Sequence, residues 1–159
     1  MIIFGAGVIG EATYHAGRHA GHVVDCFVDH RIRGPFMGLE VRTLKEAAAK
    51  YPFSWIYLTS PNIADMIWPV EETCLTGAWT SCGSVLRDFD ISGIDFQSIN
   101  GSNQSSKYSI EHVKYLIRTC LHLHDNYMHP EKLTVQSFDL IITERCSMKC
   151  KDCSNLMQY

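Results

Sequence analysis

The sequence lacks any apolar run close to the roughly 20 residues that a membrane span needs. It also lacks the basic n-region of a secretory leader: the opening MIIFGAGVIG is apolar, but it carries three glycines and no lysine or arginine. Neither sign of charge dominates. The 14 Lys and Arg stand against 17 Asp and Glu, a formal net charge of -3, which gives no electrostatic case for nucleic acid or an anionic membrane surface as partner. There is no internal repeat, no low-complexity tract, and no Ser/His/Asp order that argues for a hydrolytic triad. An even cysteine count is missing too. Seven cysteines without an export signal imply a reducing, cytoplasmic setting, with thiols, metal ligands or core filler rather than a disulfide frame.

What is present is an alternation of strand and helix over the first 60 residues. IIF is a short apolar run that ends in GAGVIG, and EATYHAGRHAG has helical composition with Gly21 as its cap. HVVDCFVD reads as a buried parallel strand, because its apolar content is continuous rather than alternating. LEVRTLKEAAAKY reads as a short extended piece, then a helix capped by Thr43 with Glu46 in capping-box position. SWIYLTS is another buried strand. This order implies right-handed crossovers and a three-layer α/β domain, Rossmann-like, with helices on both faces of a parallel sheet.

The middle of the chain is less regular. IADMIWPVEETCLTG reads as a helix disturbed by Pro69, and SVLRDF and IDFQSI are weak strand candidates. The polar NGSNQSSK, residues 100–107, is the clearest boundary. After it, apolar residues at helical spacing (Ile110, Val113, Leu116, Ile117, Cys120, Leu121, with His124) mark a long amphipathic helix. TVQSFDLIIT then reads as a strand. The division expected is a nucleotide-binding domain over 1–100, a polar loop and helical linker over 101–134, and the start of a second domain over 135–159.

Two motifs carry chemistry. Gly5, Gly7 and Gly10 form G-x-G-x-x-G directly after a strand and at the mouth of a helix, the context a phosphate-binding turn requires. The first glycine permits the tight turn, the second lets a phosphate approach backbone, and the third lets helix and strand pack closely. The helix N-terminus offers unsatisfied N–H groups to the anion. An acid about 20 residues on, at the end of the second strand, is expected to meet ribose hydroxyls; Asp29 fits, and Arg31 and Arg33 follow it as further phosphate partners. Thr59 and Ser60 leave the carboxyl end of a strand, where open α/β sheets place ligands. The plainer alternative is a tight turn in an empty docking module, and a third is an NAD-dependent oxidoreductase domain. Over residues 2–62 the pattern resembles the small Rossmann-like domain of bacterial polysaccharide-biosynthesis proteins, sugar-nucleotide acetyltransferases among them. That resemblance implies a nucleotide, nucleotide-sugar or NAD ligand.

The second motif is Cys146, Cys150 and Cys153, spaced C-x3-C-x2-C just after an apolar strand. FDLIITERCSMKCKDCSN resembles the start of the radical S-adenosylmethionine superfamily. That resemblance implies a [4Fe–4S] cluster, which the three thiolates would hold with one iron left open. It also implies an iron–sulfur enzyme whose open iron chelates S-adenosylmethionine and whose barrel would follow, so that this chain is expected to be an inactive N-terminal fragment. Asp152 departs from the aromatic residue often found before the third cysteine. A zinc site would need a fourth ligand, for which Cys120, His124 and His129 are candidates. Cys26, Cys74, Cys82 and Cys120 otherwise read as small apolar filler. His15 and His19 read as a solvated helix face, and Trp55, Trp68 and Trp79 as core or interface aromatics.

Overall fold

The computed structural model describes residues 1–73, 78–97 and 109–135. Five parallel strands form one sheet: β1 (Ile2–Phe4), β2 (Cys26–Val28), β3 (Val41–Arg42), β4 (Ile56–Leu58) and β5 (Trp79–Ser81). Their order is β3-β2-β1-β4-β5. The chain therefore winds outward from β1 in one direction, then crosses back to place β4 on the other side of β1. The order reverses between β1 and β4, and in open parallel sheets the crevice at such a switch is the ligand position. Ile2 pairs with both Cys26 and Ile56, and Phe4 with Val28 and Leu58, so the three central strands end level with one another.

The three central strands β1, β2 and β4 are continuously apolar because the sheet is covered on both faces there. Along β1, Ile2 and Ile3 are both almost wholly buried but belong to different clusters. On one face, Ile2, Cys26, Val28, Ile56 and Leu58 meet Ala47 from α2 (Leu44–Lys50) and Ile67 and Val70 from α3 (Ala64–Thr73). On the other side of the sheet lie α1 (Val8–His19), α4 (Gly83–Leu86) and α5 (Ile110–Met128), joined through Ile9, Ala12, Ala16, Leu86, Val113 and Ile117. The three-layer α/β architecture expected from the sequence is the one found. α5, whose sequence reads as a linker helix, contributes Val113, Ile117 and Cys120 to this same cluster.

Local chemistry accounts for the helix ends. Thr43 and Glu46 form a reciprocal capping box at the start of α2. Ser109 accepts from the His112 amide at the start of α5. α1 stops at Gly21, whose φ of 84° admits the left-handed turn; His22 N–H bonds Gly17 and Gly21 N–H bonds Arg18, the paired pattern of a Schellman end. Pro69 sits inside α3 without ending it.

Several sequence expectations shift. Trp55 and Trp68 are 53% and 67% exposed, so neither is a core residue, while Trp79 packs on the α2/α3 side. SVLRDF is not a strand: β5 lies just before it, and residues 83–86 are helical. Of IDFQSI, residues 94–97 carry no strand. His15 is half-buried, with Nε2 lacking a partner, rather than solvated. Of the strand expected over TVQSFDLIIT, Thr134 and Val135 carry no strand, and the remainder, with the cysteines at 146, 150 and 153, lies outside the described residues.

Candidate functional site

The ends of β1 and β4 open into a pocket of about 630 Å³. Gly5, Gly7, Gly10, Asp29, Thr59 and Ser60 all line it, with Arg31, Asp65 and Met66 around the rim. Arg33 is not among its lining residues. The switch in strand order is what brings these groups together, because it sets the loop after β1 beside the loop after β4.

The three glycines have three different reasons. Gly5 takes φ 119°, and a Cβ there would lie 2.2 Å from Thr59 Oγ1. The Thr59 hydroxyl occupies that space because it donates to the Phe4 carbonyl at 2.6 Å, tying β4 to β1. Gly10 sits in the first turn of α1 with a virtual Cβ only 1.9 Å from the Gly5 carbonyl oxygen. It sets how close the helix lies to the strand end. Gly7 is different. Its backbone, φ -106° and ψ -167°, suits any residue, and a Cβ there would meet nothing within 4 Å. Folding does not need a glycine at this position, and the missing side chain leaves the pocket open at the N-terminus of α1. The first amides of that helix have no intrahelical acceptor.

Asp29 is held by backbone. One carboxylate oxygen accepts from Ala6 N–H at 3.0 Å, and the other from Arg31 and Ile32 N–H at 2.8 and 3.0 Å. Burial works against its ionisation, but these three amides outweigh burial and hold the carboxyl below the usual aspartate range. Asp29 thus ties the glycine turn after β1 to the loop after β2. A pH consequence follows from its depressed pKa. Between the folded and unfolded values the unfolded chain binds more protons, so Asp29 stabilises the fold above the ordinary aspartate range and loses that contribution as pH falls through its folded value. Asp29→Asn will therefore flatten the acid limb of a stability–pH curve measured by urea denaturation, leaving a smaller stability at neutral pH. An unchanged acid limb would show that the three amides do not act on the ionised form.

A second group of side chains meets behind the pocket wall. Cys82, just past β5, and Cys120 and His124, one turn apart on α5, are all fully buried. Their donor atoms lie within 4.8 Å of one another. His124 Nδ1 is 2.6 Å from Ser81 Oγ, and Nε2 is 2.6 Å from the Ser60 carbonyl and 3.4 Å from Cys120 Sγ. The Cys82 thiol bonded to Cys120 lowers the Cys120 pKa to about 6 against the opposing push of burial, and His124 acts in the same direction. Cys82, the donor of the pair, is pushed well above the ordinary thiol range. Burial disfavours the charged ring of His124, but its contact with Cys120 outweighs that and raises its pKa.

Sequence reasoning placed Cys82 as filler, and Cys120 either as filler or, with His124 and His129, as a candidate fourth ligand to a zinc site at the C-x3-C-x2-C cysteines. Both cysteines are buried as filler would be, but they converge with an imidazole. The available signal was the i, i+4 spacing of Cys120 and His124, which puts both on one helical face. Nothing in the sequence pointed to Cys82 as their partner. Glu11 was also missed: it is fully buried in the first turn of α1 and accepts from the Gln97 amide, tying the chain near residue 97 to the helix.

Among the described residues no helix is long and apolar enough to cross a membrane. No protein-family model, curated protein or solved structure gives a significant match to this chain.

Proposed function

We propose that the pocket between the ends of β1 and β4 binds a phosphate-bearing, nucleotide-type ligand, either a nucleotide or a nucleotide-sugar. The observation that carries this reading is the open space at Gly7. The fold has no steric need for a glycine there, and that position faces a pocket lined by the amides of a helix N-terminus. A docking module with an empty turn would be better served by side chains filling that space. Arg31 on the rim adds a cation for a further phosphate. An NAD-dependent oxidoreductase fits less well. Its second nucleotide-binding half is not evident in the sequence, and Asp29, with three of about four acceptor sites used by backbone amides, offers little to a ribose diol of either ligand class.

The decisive experiment is calorimetric titration of the full chain with a uridine diphosphate sugar, ADP and NADH, repeated on Gly7→Asp. Aspartate is a favourable N-cap residue, so the variant will fold at least as well as the wild type. Its carboxylate would stand where the phosphate goes, and binding should fall at least tenfold. If none of the three probes binds the wild type at millimolar concentration, the docking reading takes over.

The cysteine spacing supports a second, independent part of the reading: an iron–sulfur protein of the radical S-adenosylmethionine type. Three thiolates from Cys146, Cys150 and Cys153 are the donor set a [4Fe–4S] cluster with one open iron requires. When bound, such a cluster supplies the electron that cleaves S-adenosylmethionine. Anaerobic loading with iron and sulfide should give about four iron atoms per chain, lost in Cys150→Ser; iron uptake indifferent to that substitution would end this part of the reading.

A further inference from the structure

Two thiols and one imidazole meet between β5, the end of β4 and α5, all three fully buried and with donor atoms within 4.8 Å of one another. Cys120 and Cys82 sit in the apolar cluster of Ile9, Leu86, Val113 and Ile117. The two thiols bond each other, and Cys120 Sγ also lies 3.4 Å from His124 Nε2 and 3.9 Å from the Thr59 carbonyl, so both sulfurs converge on the imidazole. As metal ligands they are well matched. Sulfur and imidazole nitrogen are the donors a thiophilic divalent ion prefers.

We propose that Cys82, Cys120 and His124 bind one zinc ion, with His124 Nε2 as the imidazole ligand and the Ser60 carbonyl as the nearest fourth donor. Charge supports this. Binding releases the two thiol protons to solvent, and two thiolates then cancel the charge of the ion while the neutral imidazole adds none. A neutral centre is what a fully buried site tolerates. The surroundings of the ring support it as well. Metal-bound histidines hold their second nitrogen by a hydrogen bond, and Ser81 Oγ is 2.6 Å from Nδ1. Ser81 Oγ also accepts from Gly83 N–H at 3.0 Å, which orients it toward the ring. Zinc binding puts the ring proton on Nδ1, so that Nδ1–H donates to Ser81 and Nε2 is free to ligate. The ion joins three elements that are distant in sequence and fixes Ser60, whose opposite side lines the ligand pocket. This inference does not depend on the nucleotide reading.

The test uses the full chain carrying Cys146→Ser, Cys150→Ser and Cys153→Ser, so that those thiols take up no metal. Titration with Co2+ as a spectroscopic stand-in should saturate at one equivalent, with tetrahedral d–d bands and sulfur-to-metal charge transfer. Adding Cys82→Ser should roughly halve the charge-transfer intensity, since one of two thiolates is lost. Ser81→Ala, which removes no ligand but takes away the partner of His124 Nδ1, should weaken binding about 10- to 100-fold. Zinc X-ray absorption of the triple-serine chain reads the same site without disturbing it, and two sulfur neighbours are expected. A folded triple-serine chain that takes up no stoichiometric Co2+ or Zn2+ would overturn the proposal. So would a metal shell without two sulfurs, or one whose spectrum survives Cys82→Ser combined with Cys120→Ser.

Discussion

Gly10→Ala will lower the melting temperature sharply, and Gly7→Asp will not. The two positions lie three residues apart in one motif, yet their surroundings are opposite. A methyl at position 10 would lie 1.9 Å from the Gly5 carbonyl oxygen and 3.0 Å from the Gly5 carbonyl carbon. Both are backbone atoms of a turn fixed by the Gly5 N–H bond to Val28 and by the Asp29 bond to Ala6. Neither can swing aside as a side-chain tip would. α1 must instead move away from β1 by more than an ångström, on the order of a carbon–carbon contact shortfall. That movement loosens Ile9, Ala12 and Ala16 against the rest of their cluster. Alanine's better helix propensity, about 1 kcal/mol, opposes the loss but is smaller than the overlap. A net cost of about 3 kcal/mol is expected, which for a chain of this size is about 10 °C in Tm. At position 7 no atom lies within 4 Å and the backbone is unstrained, so Tm should hold or rise slightly while ligand binding is lost. Differential scanning fluorimetry on the two variants separates them. Equal Tm losses would mean that Gly7 is structural after all and would remove the main support for the pocket reading.

The second large effect is expected at His124. Leucine there has similar bulk but no ring nitrogens. Its substitution leaves the Ser60 carbonyl, now bonded at 2.6 Å, without that donor, and removes the partner of Ser81 Oγ at 2.6 Å. A buried polar group stripped of its partner costs about 1–3 kcal/mol, so His124→Leu should cost about 3 kcal/mol in urea denaturation. Leu123, the preceding residue, is 42% exposed, and Leu123→Ser should change stability by no more than about 0.5 kcal/mol. The pair tests whether the network rather than general helix packing carries the effect. A His124→Leu variant as stable as wild type would show that the buried donors here contribute nothing to the fold, and the zinc proposal would lose its orienting hydrogen bond with it.

Much of the fold was legible because its signals are local. Continuous apolar runs gave β1, β2 and β4 within a few residues, since a strand buried on both faces has no polar positions to interrupt it. The Thr43–Glu46 box and Gly21 marked helix ends because capping is satisfied within one turn of chain. β5 escaped notice because Trp79, Thr80 and Ser81 are only half-buried and carry no apolar run. Of the two readings for Trp55 and Trp68, core or interface, their exposure removes the core one: aromatic bulk argues for burial on average, but single exposed aromatics are ordinary.

The same division holds for the sites. The glycine turn could be read from the chain alone, because it is a short pattern whose geometry is set by neighbouring residues. The chain alone also determined the α/β class, through the order of its elements. Which of the glycines borders open space follows instead from the tertiary structure, since it depends on what Thr59 and the Gly5 carbonyl occupy from across the turn. The clamp that Asp29 places on the turn is not legible locally either, because the Ala6 amide is brought to it by β1 pairing with β2. And only the packing of α5 against the ends of β4 and β5 brings Cys82, Cys120 and His124 together, because Cys82 and Cys120 lie 38 positions apart along the chain and no periodicity reaches across that distance.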